Sequence, residues 1–256
     1  HGQTIGGRLL RRRPAPPFER MRVDTPDGDF LDFDFPSPAG SESPIVLLFH
    51  GLEGNARRGY AVNTYLELRD RGITSVGVNF RSCSGELNRN ARFYHSGETE
   101  DVGFAIEYVR RRWPQRPLGA IGFSLGGNAL LKFLGETGDA NPLACAVAVS
   151  VPFDLGAGAR LLDSNRMGRF YSRHFVKSLV LKAEAKASLL RETSDFDRIR
   201  AARNFYDFDD AGAFIAVVVR DFFDEYGEVT LPNGDPAKLA IYFPQNRYLV
   251  GLRSVF

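Results

Sequence analysis

The chain has 256 residues, 43% of them apolar and 25% charged, with 33 basic side chains against 31 acidic ones. That length buries one sizeable core, and one α/β domain with a small insertion fits it better than two domains. The near-balance of charge gives no electrostatic case for nucleic acid, and no apolar run approaches the ~20 residues that span a bilayer.

The basic cluster between Arg8 and Arg13 reads as a solvated N-terminal arm. The chain begins at His1 rather than Met, so a preceding segment, a targeting sequence included, stays open; no secretory signal pattern is visible. Cys83 and Cys145 make no disulfide framework and point to a reducing compartment, taken as the cytoplasm. Cys145 lies in an apolar run and is expected to pack as a small hydrophobe.

In chain order, residues 18–35 read as two strands joined by the turn sequence Pro26-Asp27-Gly28-Asp29. Ser37 to Ser43 is a Pro/Gly/Ser loop. Ile45 to Phe49 is continuously apolar, as a strand buried on both faces of a parallel sheet requires. Residues 57–71 are helix-like, with Tyr60, Tyr65 and Leu68 as apolar positions and Gly72 as the stop. Ile73 to Phe80 is the next strand. Residues 99–112 form an amphipathic helix, which Ser96 or Thr99 could cap. Pro117 to Ile121 is a short strand, Asn128 to Leu134 has helical apolar spacing, and Leu143 to Val151 is a further buried strand. This alternation from 45 to 151 predicts a mostly parallel, doubly wound sheet. Residues 155–205 change rhythm and read as a helical insertion over the sheet's upper edge.

Gly122-Phe123-Ser124-Leu125-Gly126 falls between strand and helix. In a G-x-S-x-G turn of this kind the serine sits at a sharp bend with its hydroxyl clear of the backbone, and the flanking glycines let both segments pass. Ser124 is therefore the candidate nucleophile. His50-Gly51-Leu52-Glu53-Gly54 follows the 45–49 strand. In such folds the backbone amides after the nucleophile and in this earlier loop stabilise the developing oxyanion, which here means Leu125 and Leu52. His50 precedes the loop glycine and is expected to order the loop. His95, in Arg92 to Thr99, is a weaker candidate for a substrate or triad role, loosely paired with Glu100.

Together with His1-Gly2-Gln3-Thr4, the hairpin turn and Asn79 to Glu86, these segments resemble the YheT-like branch of the α/β-hydrolase superfamily over about residues 1–210. The resemblance implies an α/β-hydrolase fold with a helical cap. It also implies a carboxylic ester hydrolase acting on acyl esters with no metal or organic cofactor, some relatives being acyltransferases. Ser124 would be the nucleophile, with Leu52 and Leu125 as oxyanion amides.

The pattern breaks after the cap. The fold's chain order is Ser, then Asp or Glu, then His, yet the one histidine after Ser124 is His174, in the expected cap. Asp221 and Asp224 are weak candidates for the acid. Lys238 to Phe243 could be the strand that presents it, but Asn246 and Arg247 stand where aspartate is expected. An alternative alignment puts Leu249 at the histidine position. Residues 211–256 thus form a divergent tail within a single 1–256 domain, its C-terminal strands atypical or truncated. Three readings stay open: an impaired serine esterase, a catalytically silent binding protein, and an acyltransferase. An open sheet edge would also allow a homodimer by strand pairing.

Overall fold

A hairpin starts the architecture. The computed structural model describes residues 14–36, 40, 42–212, 228–230 and 236–238. Within these, β1 (Phe18–Asp24) and β2 (Phe30–Pro36) pair antiparallel. Arg20 lies opposite Asp34 and Arg22 opposite Asp32, and each pair closes a two-pronged ion pair at 2.8–2.9 Å. Both aspartates are buried, so these cross-strand arginines fix the register of the hairpin.

β2 pairs antiparallel with β4 (Thr74–Asn79), which continues in parallel to β3 (Ile45–Phe49), β5 (Leu118–Phe123) and β6 (Cys145–Val149). The sheet order is β1-β2-β4-β3-β5-β6, the mostly parallel sheet that the strand–helix alternation predicts. Side chains of β3 alternate as a pleat demands. Ile45, Leu47 and Phe49 join the main core with α2 (Thr99–Arg112) and α3 (Leu125–Thr137). Leu48 points the other way, onto Ala61 and Tyr65 of α1 (Gly59–Arg69). Helices thus cover both faces, and the connections leaving β3 and β5 turn to opposite faces. A crevice opens at the carboxyl ends of such neighbouring strands.

Three local expectations are corrected. In α1 the buried positions are Ala61, Val62, Tyr65 and Leu66, while Tyr60 is exposed and Leu68 half-buried. The cap of α2 is neither Ser96 nor Thr99 but Glu98, whose carboxylate accepts from the Asp101 amide at 3.2 Å. β6 is not a buried strand: Cys145 is exposed and Val147 is 45% exposed, because among the described residues β6 pairs with β5 alone.

Helices then run from 155 to 210: α4 (Leu155–Ser164), α5 (Arg166–Ala185), α6 (Ala187–Leu190), α7 (Phe196–Ala201) and α8 (Phe205–Asp210). They enclose their own apolar cluster around Leu179, Ile199 and Phe208, and this cluster closes on Phe93 and Leu52 from the loops that follow β4 and β3. Two three-residue strands, β7 (Glu228–Thr230) and β8 (Pro236–Lys238), pair antiparallel. The remainder of the strand expected at Lys238 to Phe243 lies outside the described residues, as do Asp221, Asp224, Asn246, Arg247 and Leu249.

Candidate active site

Phe49 pairs with Gly122 in the β3–β5 register, which brings the two following loops to the same level in the crevice. Ser124 turns the chain from β5 into α3 with φ 50° and ψ −119°, a conformation costing a non-glycine residue roughly 1–3 kcal/mol. Surrounding bonds hold it. Its amide donates to the Val149 carbonyl at 2.8 Å, and its carbonyl accepts from Gly127 and Asn128 at 2.8 and 3.1 Å. The crowding explains the glycines. A Cβ on Gly122 would stand 2.5 Å from the Gly126 carbonyl oxygen, and one on Gly126 would stand 2.5 Å from that of His50. Backbone cannot yield at such distances, so the small-residue requirement read from the sequence is a steric fact of this corner.

The loop after β3 lies directly against the serine. A Cβ on Gly51 would come within 3.1 Å of Ser124 Cβ. The amides of this loop divide into two kinds. Gly51 N–H donates to the Tyr60 hydroxyl at 3.1 Å, and Glu53 N–H donates to the Tyr94 hydroxyl at 2.7 Å. Leu52, between them, donates to no described residue, nor does Leu125, the first residue of α3. The first amides of a helix lack intrahelical acceptors and carry the positive end of its dipole. Two uncommitted donors therefore belong to the residue after Ser124 and to the loop whose Gly51 lies against it, the two segments from which this fold draws its oxyanion donors.

His50 orders this loop. It is fully buried; its Nε2 accepts from the Phe80 amide at 3.1 Å, so the ring proton sits on Nδ1, which donates to the Gly51 carbonyl at 2.8 Å. Burial pulls its pKa down to about 4. With both nitrogens occupied, it is no base for Ser124.

Glu53 and Tyr94 form a support that sequence reasoning missed. Tyr94 returns its hydroxyl proton to Glu53 Oε1 at 3.0 Å. From α5, Lys182 Nζ reaches the same carboxylate at 2.6 Å, and the Ser178 hydroxyl donates to its other oxygen. One turn on, the buried Lys186 ammonium bonds Asn88 Oδ1 at 2.9 Å and the Asn90 carbonyl, and lies 4.0 Å from the centre of the Phe93 ring. Burial lowers its pKa to about 8. The visible signal was the i, i+4 spacing of Lys182, in the last turn of α5, and Lys186, its C-terminal cap residue.

Neither His95 nor His174 hydrogen-bonds to the serine. Gly97 N–H donates to His95 Nδ1 at 3.1 Å, and His95 Nε2 stands 3.8 Å from Glu98 Oε2. Burial is the main cause lowering its pKa. Glu100, its expected partner, is bound by Arg92 at 2.5 Å instead. His174 is exposed on α5, its ring against Phe175. Among the described residues no side chain hydrogen-bonds to Ser124 Oγ, and no group of acidic, histidine or cysteine side chains is arranged to hold a metal.

A strained serine between strand and helix, at the switch point of a mostly parallel sheet, defines an α/β-hydrolase fold. Comparison with known proteins agrees. No protein-family model matches the chain. "Putative esterase YheT" of Escherichia coli is 36% identical over 214 residues, covering 82% of this chain and 63% of that protein. The monoacylglycerol lipase of Saccharomyces cerevisiae is 31% identical over 73% of this chain and 42% of its own length. Mouse phospholipase ABHD3 is 26% identical over 91% of this chain and 58% of its own. The chain belongs to the α/β-hydrolase superfamily, and within it is similar to the YheT-like branch. It spans between two fifths and two thirds of the length of these three relatives. Among solved structures, the Pyrococcus furiosus esterase Pf2001 aligns at 21% identity with a TM-score of 0.48, over 58% of this chain and 63% of that one.

Proposed function

We propose that this chain carries the nucleophile and oxyanion half of a serine ester hydrolase, with Ser124 as acyl acceptor and the Leu52 and Leu125 amides as oxyanion donors. The observation that carries the reading is the pair of uncommitted amides, one on Leu125 directly after the strained serine and one on Leu52 in the loop whose Gly51 lies against it. Relatives named as an esterase, a monoacylglycerol lipase and a phospholipase support an acyl ester of lipid type as the substrate class. In this reading residues 155–205 act as the cap over the acyl group, and the unpaired Cys83 and Cys145 suit a reducing, cytoplasmic setting.

The chemistry runs in two displacements. Ser124 Oγ forms a bond to the ester carbonyl carbon while its proton passes to a base. The carbonyl oxygen becomes negative facing the two amides. The bond to the alkoxy group then breaks, and the alcohol leaves with the proton. Water adds to the acyl-serine in the same way and releases the carboxylic acid.

The proton acceptor is the weak link, since His50, His95 and His174 are each engaged or placed elsewhere. Without it a hydrolase keeps only the roughly 10³–10⁴-fold advantage over water that oxyanion donors and binding supply. Imidazole supplied from solution should stand in for the base. The expected result with p-nitrophenyl butyrate is slow hydrolysis with an imidazole-dependent increment, measured above the protein-free imidazole rate, that vanishes in Ser124→Ala. An equal increment in both proteins contradicts the reading and favours a binding protein on a hydrolase scaffold, an alternative supported by the lack, among the described residues, of any imidazole bonded to Ser124.

A further inference from the structure

The solvent side of α5 mixes large apolar side chains with cations. Its inner face buries Ser172, Leu179 and Ala183, and the 3.6-residue period turns Phe170, Lys177 and Leu181 to the opposite side. Phe170 is 66% exposed, Leu181 58% and Met167 41%. Arg166, Arg173 and Lys177 alternate with them on the same face. None of these three cations forms an ion pair or hydrogen bond with a described residue, whereas Lys182 and Lys186, on the inner side, are both engaged. Over Arg166–Ala185 the helix carries five Arg or Lys side chains and a single acid, Glu184.

We infer that this face of α5 docks the protein onto an anionic lipid surface, with Met167, Phe170 and Leu181 entering the headgroup boundary and Arg166, Arg173 and Lys177 meeting the lipid charges. Large apolar side chains interleaved with unpaired cations are the composition of helices that lie in a membrane interface, and each basic side chain near an anionic leaflet strengthens attachment. The helix lies on the surface; no described helix is long and apolar enough to cross a membrane. A second copy of the chain is the poorer occupant, because a two-fold pairing of this face sets cation against cation. An acidic lipid supplies both the apolar layer and the opposite charge.

The test is sedimentation of the whole chain with vesicles of phosphatidylcholine alone and of phosphatidylcholine enriched in phosphatidylserine. Binding to the phosphatidylserine vesicles is expected, weakened by high salt. Arg173→Glu with Lys177→Glu should lower it more than about tenfold, and Met167→Ser with Phe170→Ser by about tenfold. All four positions are exposed, so the variants should keep the parent's circular dichroism and melting temperature, and a variant that does not is replaced by Leu181→Ser. Equal binding to both vesicle types, binding unchanged in either double variant, or a concentration-dependent dimer abolished by Phe170→Asp would each overturn the inference.

Discussion

At Ser124 and His50 the chain places side chains where most sequences could not. The serine's left-handed backbone survives because Gly122 and Gly126 leave room and Val149 takes its amide. That demand for small residues is local, which made the elbow legible from five letters. The role of His50 was legible in outline, since a histidine beside Gly51 at a strand end has backbone groups within reach, but its partner Phe80 lies 30 residues on. Glu98 as the cap of α2 was not legible, because Ser96, Glu98 and Thr99 are all competent acceptors and only tertiary packing chooses. His50 has a pH consequence. Its pKa falls from 6.5 unfolded to about 4 folded, so it stays neutral in the folded protein. Its full contribution is present above pH 6.5. As pH falls from 6.5 toward 4, the unfolded chain binds a proton that the folded chain refuses, and stability is lost. Between pH 6.5 and 5 the loss is about 2 kcal/mol. Urea unfolding at the two pH values should show His50→Gln less stable at neutral pH, having disturbed the bond to Phe80, yet less pH-dependent by about that amount. Parallel pH profiles for the two proteins would remove His50 from this role.

The loop after β3 and helix α5 act as one unit. Glu53 is the joint, holding Tyr94 on one side and Lys182 with Ser178 on the other. The loop that carries the Leu52 amide is thereby clamped between the sheet and the helices above it. This was hidden in the sequence because the segment is rich in basic residues that read alike, whereas Lys182 of α5 and Lys186 just past its end reach inward along apolar stems. The opposite error befell β6. Its run of alanine and valine reads as buried, but apolar composition does not say whether a neighbouring strand covers it. A double-mutant cycle tests the clamp. Lys182→Met and Glu53→Gln should each cost about 2 kcal/mol, below the cost of breaking a fully buried pair because both side chains keep some solvent contact. Their coupling in urea unfolding should be about 1–2 kcal/mol. Additive effects would mean that the pair does not hold the loop.

On the scale of the whole molecule, the strand–helix alternation between 45 and 151 was enough to anticipate a mostly parallel sheet with helices on both faces. The order of its strands was not, since composition says nothing about which way a connection turns. It is the opposite turns after β3 and β5 that create the crevice where Gly51 meets Ser124. The strained turn at Ser124 and the open amides of Leu52 and Leu125 were readable because they depend on short-range backbone geometry. A base and an acid were not readable, because a partner brought from far along the chain leaves no local pattern; among the described residues the histidines at 50, 95 and 174 prove to serve or occupy other places. The central claim is that Ser124 is an acyl acceptor facing the Leu52 and Leu125 amides. Its most direct test is reaction of the intact chain with a fluorophosphonate probe, followed by peptide mass mapping, wild type against Ser124→Ala. A single adduct should form slowly, confined to the Ser124 peptide and absent from the variant. No adduct on Ser124, or the same labelling in both proteins, would contradict it.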